Sequence, residues 1–378
     1  MPNLSIITST PPSHHRFHVL DAMRGIAALM VVNTHTAPLL GTKLFAHNGH
    51  LAVDFFFCLS GFVIAFSYER RLLEGMRIPS FLSARLIRLY PMVFIGMTIG
   101  ILKPLLEQLH RSDFAMLKEK FLYYLCGIFM IPLLGTGHNH LVYPLDIATW
   151  SLFFELVANL AFAFLAFRRR VPTSLLLLVA AASFCILCAG AHSSVAIVSM
   201  GSDSTRFNFG FARVALPFAS GVLLLRLYKR YETWQRSQRL NAALAAVSVL
   251  LLSLTLLSSL LWMRTRIFEL SAIALIFPAL VLIGAFARVP EKLNRLCSML
   301  GELSYPLYLL NLVLNYAFAN AGLSLAARWP HLRPLLMSII VGLDTAIALA
   351  VARWMDAPIR RFLVRKYNPS PSLATSRA

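Results

Sequence analysis

Apolar residues in this chain come in long runs separated by short connections rich in arginine and lysine. Ten runs of roughly 18–22 residues are long enough to cross the ~30 Å hydrocarbon core of a bilayer as helices. They fall at 18–39, 50–68, 89–109, 147–167, 173–191, 210–228, 240–261, 267–287, 297–319 and 334–356. A further run, Phe121 to Leu134, is too short to span comfortably and reads as a re-entrant or interfacial helix. The pattern predicts an all-α, polytopic membrane helical bundle of about ten transmembrane helices plus that short helix. Residues 1–367 form one transmembrane domain in this reading. The Pro/Ser-rich stretch 368–378 reads as a disordered tail, and no internal repeat stands out.

Composition agrees with a bilayer setting. The chain of 378 residues is 58% hydrophobic and 13% charged, with a mean hydropathy of +0.69. Soluble domains hold roughly 45–50% apolar and about 25% charged residues. A net charge of +19 would point to nucleic acid in a soluble protein, but here the basic residues sit in short connections and at helix ends. That distribution is an orientation signal, and no nucleic-acid partner is expected. With the N-terminus inside and ten spans, 22 of the 35 Lys and Arg fall on the inner side and nine in the outer connections. Arg168, Arg169 and Arg170 demand the cytoplasm, which requires that 121–134 not cross. Both termini are therefore expected to be cytoplasmic. The first 17 residues lack the features of a signal peptide, so the first apolar run is expected to stay as an anchor.

Polar residues inside the spans carry the candidate chemistry, because ionisable groups there are expensive and are usually kept for function. The first run, FHVLDAMRGIAALMVVNTHT from Phe17 to Thr36, contains Asp21, Arg24 and His35. Arg24 and His35 are eleven residues apart, so they share one helix face to within about 20° and stand about 16 Å apart along the axis. Such a helix offers a cation near one surface and an imidazole near the other. Asp54 lies at a depth similar to His35, where it either pairs with that imidazole as an orienting carboxylate, caps its helix, or pairs with an arginine. Arg85 and Arg88, at i and i+3, share a face and read either as positive-inside anchors or as a forked phosphate-binding pair. Trp150, Ser151 and Glu155 open the fourth run. Glu155 either positions a substrate or balances Arg24 or Arg213, and Arg213 reads equally as a counter-ion. Ser304, Tyr305, Tyr308 and Asn311 punctuate the ninth run, and Tyr308 and Asn311, at i and i+3, could line one cavity. The five cysteines all lie in apolar runs and read as small buried residues. His138 and His140 have no further ligand near them in sequence, so no metal site is expected, and no phosphate-binding glycine loop occurs.

The segments LDAMRGIAALMVVNTH and GHLAVDFFFCLSGFVIA (Gly49 to Ala65) resemble the opening of the acyltransferase 3 family, multi-spanning bacterial enzymes that O-acylate glycans and other hydroxyl-bearing acceptors. Further similarities follow in order at ARLIRLYP (Ala84 to Pro91), WSLFFE (Trp150 to Glu155), ARVALPFASGVLL (Ala212 to Leu224), LGELSYPLYLLN (Leu300 to Asn311) and MDAPIRR (Met355 to Arg361). The resemblance implies an O-acyltransferase, with acetyl transfer foremost, in the inner membrane. It also implies an acyl-CoA co-substrate, foremost acetyl-CoA, with no tightly bound cofactor, and a saccharide or other hydroxyl acceptor. Under it His35 becomes the general base, with Asp54 and Glu155 as catalytic carboxylates. Arg24, Arg85 and Arg88 hold the anionic acyl-CoA, and Trp150, Ser151, Arg213, Tyr308 and Asn311 line the substrate site. Relatives commonly carry a histidine where this chain has Asn311, which can hydrogen-bond but cannot titrate. Without the resemblance, a secondary transporter using intramembrane charges is the competing reading. Its usual marks, inverted repeats and paired broken helices, are not found.

Overall fold

A computed structural model of the chain describes residues 16–40, 46–112, 114–135, 140–192, 196–233, 237–257 and 265–367. The predicted tail, 368–378, and His138 lie outside the described residues. Where the apolar runs lie, the chain is helical: α1 (His18–Leu39), α2 (Ala52–Leu73), α3 (Ile78–Arg111), α4 (Phe114–Ile128), α5 (Thr149–Ala166), α6 (Thr173–His192), α7 (Phe209–Tyr231), α8 (Gln238–Leu257), α9 (Arg266–Ser271), α10 (Phe277–Phe286), α11 (Glu291–Arg328), α12 (Arg333–Val351) and α13 (Ala357–Tyr367). Two π-helical segments, Ala272–Ile276 and Ala352–Asp356, join α9 to α10 and α12 to α13. Among the described residues there is no strand, only an isolated bridge between Leu141 and Asp203.

Nine helices among the described residues are long and apolar enough to cross a membrane. α1 is absent from that set although its 22 residues reach about 33 Å. Asp21, Arg24, Asn33 and His35 make it too polar, and it runs instead along α11 inside the bundle. The first of the predicted spans, 18–39, is thus a less apolar helix packed along α11.

Proline at the second position starts α3 (Pro79) and α12 (Pro334), where the missing N–H would have no helical partner anyway. Thr265 caps α9 by accepting from the Phe268 N–H at 3.2 Å. α3 and α11, at 34 and 38 residues, overrun the predicted spans because their polar ends stay helical beyond the apolar stretch.

The short helix differs in register from its expectation. It covers Phe114–Ile128 and ends where 121–134 was expected to continue. Its 15 residues reach only about 22 Å, short of a bilayer core. Helix parity follows directly: the Arg168 N–H, just after α5, bonds the Leu72 carbonyl at the end of α2 at 3.1 Å. The Arg168–Arg170 turn therefore lies on the face where α1 begins, called here the N-face. The opposite surface is the far face. Arg226 bonds Val171 and Thr173, and Arg16 reaches Ser298 and Glu302, so the connections at both places meet at the N-face.

Two glycines set how closely α2 and α7 approach. A Cβ on Gly61 would stand 2.1 Å from the Phe218 carbonyl oxygen, and one on Gly221 would stand 2.1 Å from that of Cys58. Membrane helices lack a hydrophobic drive to associate and rely on such backbone contact. The outer surface is apolar, with Phe94, Leu106, Phe164, Leu178, Leu250 and Leu275 exposed. Polar groups are turned inward.

Candidate active site

The N-face half of the bundle holds a chain of charges. The Arg24 guanidinium donates from Nε to the Ser304 hydroxyl at 2.8 Å and from Nη2 to the Gly301 carbonyl at 2.6 Å. Asp21 lies 3.4 Å from Arg24 and 2.8 Å from Arg16, which reaches Glu302 at 3.1 Å. Arg24 Nη1 makes no bond among the described residues. Arg85 is buried, and its Nη2 donates to Glu155 Oε1 at 3.0 Å, an atom that also accepts from the Ser60 hydroxyl at 2.8 Å. Arg85 Nε is buried without a partner among the described residues. Arg88 is exposed and acts electrostatically on both Arg24 and Arg85. The three arginines therefore form one cationic group with donors to spare. A cavity of ≈ 410 Å³ lined by Arg16, His18, Glu232, Asn241, Arg288 and Asn294 also lies at the N-face, and none of the three arginines lines it.

The far half carries His35, partly exposed and making no hydrogen bond among the described residues. Eleven residues along unbroken α1 place it about 16 Å from Arg24 along the axis. The polar wall between the two ends comes from α5 and α11. Tyr308 and Ser151 share a hydroxyl–hydroxyl bond of 2.8 Å. Asn311 is buried and donates to the Leu307 carbonyl at 3.2 Å, while its Oδ1 has no partner among the described residues.

Two expected pairings are replaced. Asp54 does not serve His35: its carboxylate is fully buried and takes a two-pronged contact from Arg213, Nε to Oδ1 at 2.9 Å and Nη2 to Oδ2 at 2.8 Å. Arg213 also donates from Nη1 to the Ile197 carbonyl at 2.7 Å and lies over the Trp150 ring at 5.0 Å. Of the open alternatives, the arginine pair holds, and it occupies Asp54, Arg213 and Trp150 together. Glu155 makes its direct contact with Arg85 at 3.0 Å and also acts on the charge of Arg24 from further away, while Arg213 is taken by Asp54. Arg85 is thus buried within the bundle and ion-paired, on the part of α3 that precedes its apolar stretch.

Other residues at the site were not read from sequence. Ser60 completes the Glu155 contact. Asp146, 1% exposed, accepts from the Ala148 N–H at 3.1 Å and the Thr149 hydroxyl at 3.4 Å, which fixes the turn that leads into α5. His50, in the one-turn 3-10 helix Gly49–Leu51, meets Glu269 of α9 with Nε2 and Oε1 at 2.9 Å. That pair spans 219 positions, and no local pattern announces it.

A family model described as an acyltransferase domain matches residues 17–353. The chain is 34% identical over 192 residues to "Protein 2 in picA locus" of Rhizobium radiobacter, a match covering 47% of this chain and 95% of that protein. No solved structure matches.

Proposed function

The chain belongs to the acyltransferase 3 family, and from that premise we propose that this multi-pass membrane acyltransferase moves an acyl group from acyl-CoA to a hydroxyl. The donor in this reading is cytoplasmic, foremost acetyl-CoA, and the acceptor is a saccharide or other hydroxyl compound at the opposite face of the inner membrane. The observation that carries the proposal is the division of one helix. α1 contributes Arg24 to an unsaturated arginine group at the N-face and His35, with no bonded partner among the described residues, at the far end. Guanidiniums suit the phosphates of a CoA. An extended pantetheine arm is long enough to bridge about 16 Å.

The chemistry follows from the groups. His35 takes the proton of the acceptor hydroxyl as its oxygen attacks the thioester carbonyl. The new C–O bond forms, the C–S bond breaks, and the leaving thiolate receives the proton held by His35. Tyr308, Ser151 and Asn311 offer hydrogen bonds along the path and orient the reacting ends. Asp54, Arg213 and Trp150 support the far-face architecture.

The family removes the motive for the transporter reading. The test is acceptor-dependent release of CoA thiol from acetyl-CoA by purified protein in nanodiscs. Mass spectrometry of surface glycans and small hydroxylated metabolites, from cells with and without the gene, identifies acceptors to supply. Thiol release that rises with acceptor is expected; none with any acyl-CoA would contradict the proposal. The cytoplasmic assignment of the N-face rests on its basic connections. A single cysteine at position 170, on a cysteine-free background, should label only from the cytoplasm; labelling only from outside would invert the orientation.

A further inference from the structure

The cavity of ≈ 410 Å³ at the N-face has no part in the chemistry described so far. We propose that it receives the nucleoside end of the acyl-CoA donor, whose diphosphate is held at Arg24. This rests on the reading of the donor as acyl-CoA and gives that donor a second site of contact.

Five helix ends build the cavity. Phe17 and His18 come from the start of α1, Tyr228 from the end of α7, and Asn241 from the start of α8. Arg288 follows α10, and Asn294 lies in the first turn of α11. The volume falls within the range of about 300–1,000 Å³ usual for small-molecule sites. Direct contacts join the cavity to the arginine group. Arg16, on the cavity wall, bonds Asp21 at 2.8 Å, and Asp21 lies 3.4 Å from Arg24. A single carboxylate thus stands between the guanidinium on the wall and the one assigned to phosphate. In this scheme the donor seats its nucleoside in the cavity, passes Arg24 with its diphosphate, and runs along α1 toward His35 with its pantetheine arm.

The lining argues for a nucleoside and against a bare phosphate or a hydrocarbon chain. Phe17 packs edge-on against Tyr228 with ring centroids 5.4 Å apart, and Tyr228 meets Phe286 at 5.1 Å. All three rings line the cavity and offer the aromatic surface on which bases stack. Asn294 makes no hydrogen bond among the described residues, and its amide both donates and accepts, as the edge of an adenine requires. Arg288 is exposed and makes no ion pair among the described residues, which leaves its guanidinium for the phosphate on the ribose. Glu232, equally unpaired there, suits a ribose hydroxyl, the contact that a carboxylate makes in dinucleotide sites. Arg16 is committed to Asp21 and Glu302, so it links the cavity to Arg24 and is not a free donor. A phosphate site needs only cations, and a lipid chain needs none of these polar groups. Rings, an amide, a guanidinium and an acid together match a nucleoside phosphate.

The experiment compares two donors on the full chain in nanodiscs, by isothermal titration, with thermal unfolding measured alongside. One donor is acetyl-CoA. The other is S-acetyl-4′-phosphopantetheine, which ends at its first phosphate and lacks the nucleotide. The unsubstituted protein should bind acetyl-CoA at least about tenfold more tightly. Asn294→Trp fills the cavity, and it should lower acetyl-CoA affinity at least about tenfold while leaving the truncated donor unaffected. A structural disturbance of the N-face would weaken both donors alike. Should Asn294→Trp fail to fold, Arg288→Ala, at an exposed position, is read in the same way. Unchanged acetyl-CoA affinity in the folded variant, or an equal loss with both donors, would overturn the inference. So would equal affinity of the unsubstituted protein for the two donors, which leaves the acyl-CoA reading intact. Binding of neither donor would remove that reading, and this inference with it.

Discussion

Arg213 and Arg85 are both arginines buried inside a membrane bundle, and both hold a carboxylate from another helix. Arg213 grips Asp54 with two nitrogens, points its third at backbone carbonyls and lies over Trp150. Arg85 meets Glu155 through one nitrogen, shares that oxygen with Ser60, and leaves Nε without a partner among the described residues. Arg88 stands close enough to act on both Arg85 and Arg24; no second charge of that kind stands beside Arg213 in the contacts above. A saturated pair in low dielectric has nothing left to offer a ligand and everything to lose if broken. An unsaturated one, beside further cations, remains able to accept an anion. On the proposed reading, the difference separates a structural clamp at the far face from a group free to bind an anion at the N-face.

The largest effect expected is on the clamp. Asp54→Asn leaves Arg213 buried and uncompensated, which should destabilise the fold by about 3–5 kcal/mol, read as a lower unfolding temperature and poor recovery in detergent. A fully folded but inactive Asp54→Asn would move the pair from architecture to chemistry and erase the contrast.

Next comes the binding group. Arg88 makes no ion pair among the described residues, so Arg88→Ala should spare the fold while weakening acetyl-CoA binding about ten- to a hundred-fold, measured by isothermal titration. Arg85→Ala should weaken it comparably but also lower the unfolding temperature, since Glu155 loses its partner. Unchanged affinity in both would return these arginines to orientation anchors. The smallest effect is expected at the wall between the two ends. Tyr308→Phe removes one neutral hydrogen bond to Ser151 and should reduce turnover by about 0.5–1.5 kcal/mol, under roughly fifteen-fold. A larger loss in single-turnover rate would bring the Tyr308 hydroxyl into the chemistry itself.

The helices were legible because a bilayer demands apolar runs of a certain length, and the face shared by Arg24 and His35 was legible from helical periodicity. α1 itself escapes a hydropathy criterion for the same reason that it matters: its polar residues face other helices, not lipid. The extensions of α3 and α11 were hidden because polar residues outside the bilayer leave no hydropathy signal. Pairings were not legible. Asp54 and Arg213 are 159 positions apart, Arg85 and Glu155 are 70, and His50 and Glu269 are 219. Periodicity tells which residues share a face but not which helix lies opposite, so the depth match between Asp54 and His35 pointed to a pair that Arg213 forecloses.

The central claim is that acyl-CoA binding and acyl transfer are separated along α1, with Arg24 at one end and His35 at the other. The most direct measurement is His35→Ala assayed twice in one preparation, for acetyl-CoA affinity and for single-turnover transfer from radiolabelled acyl-CoA. Affinity should match the unsubstituted protein, while transfer falls about 10²–10⁴-fold, the usual worth of general-base catalysis. Transfer at the full rate, or affinity lost in step with transfer, would contradict that division.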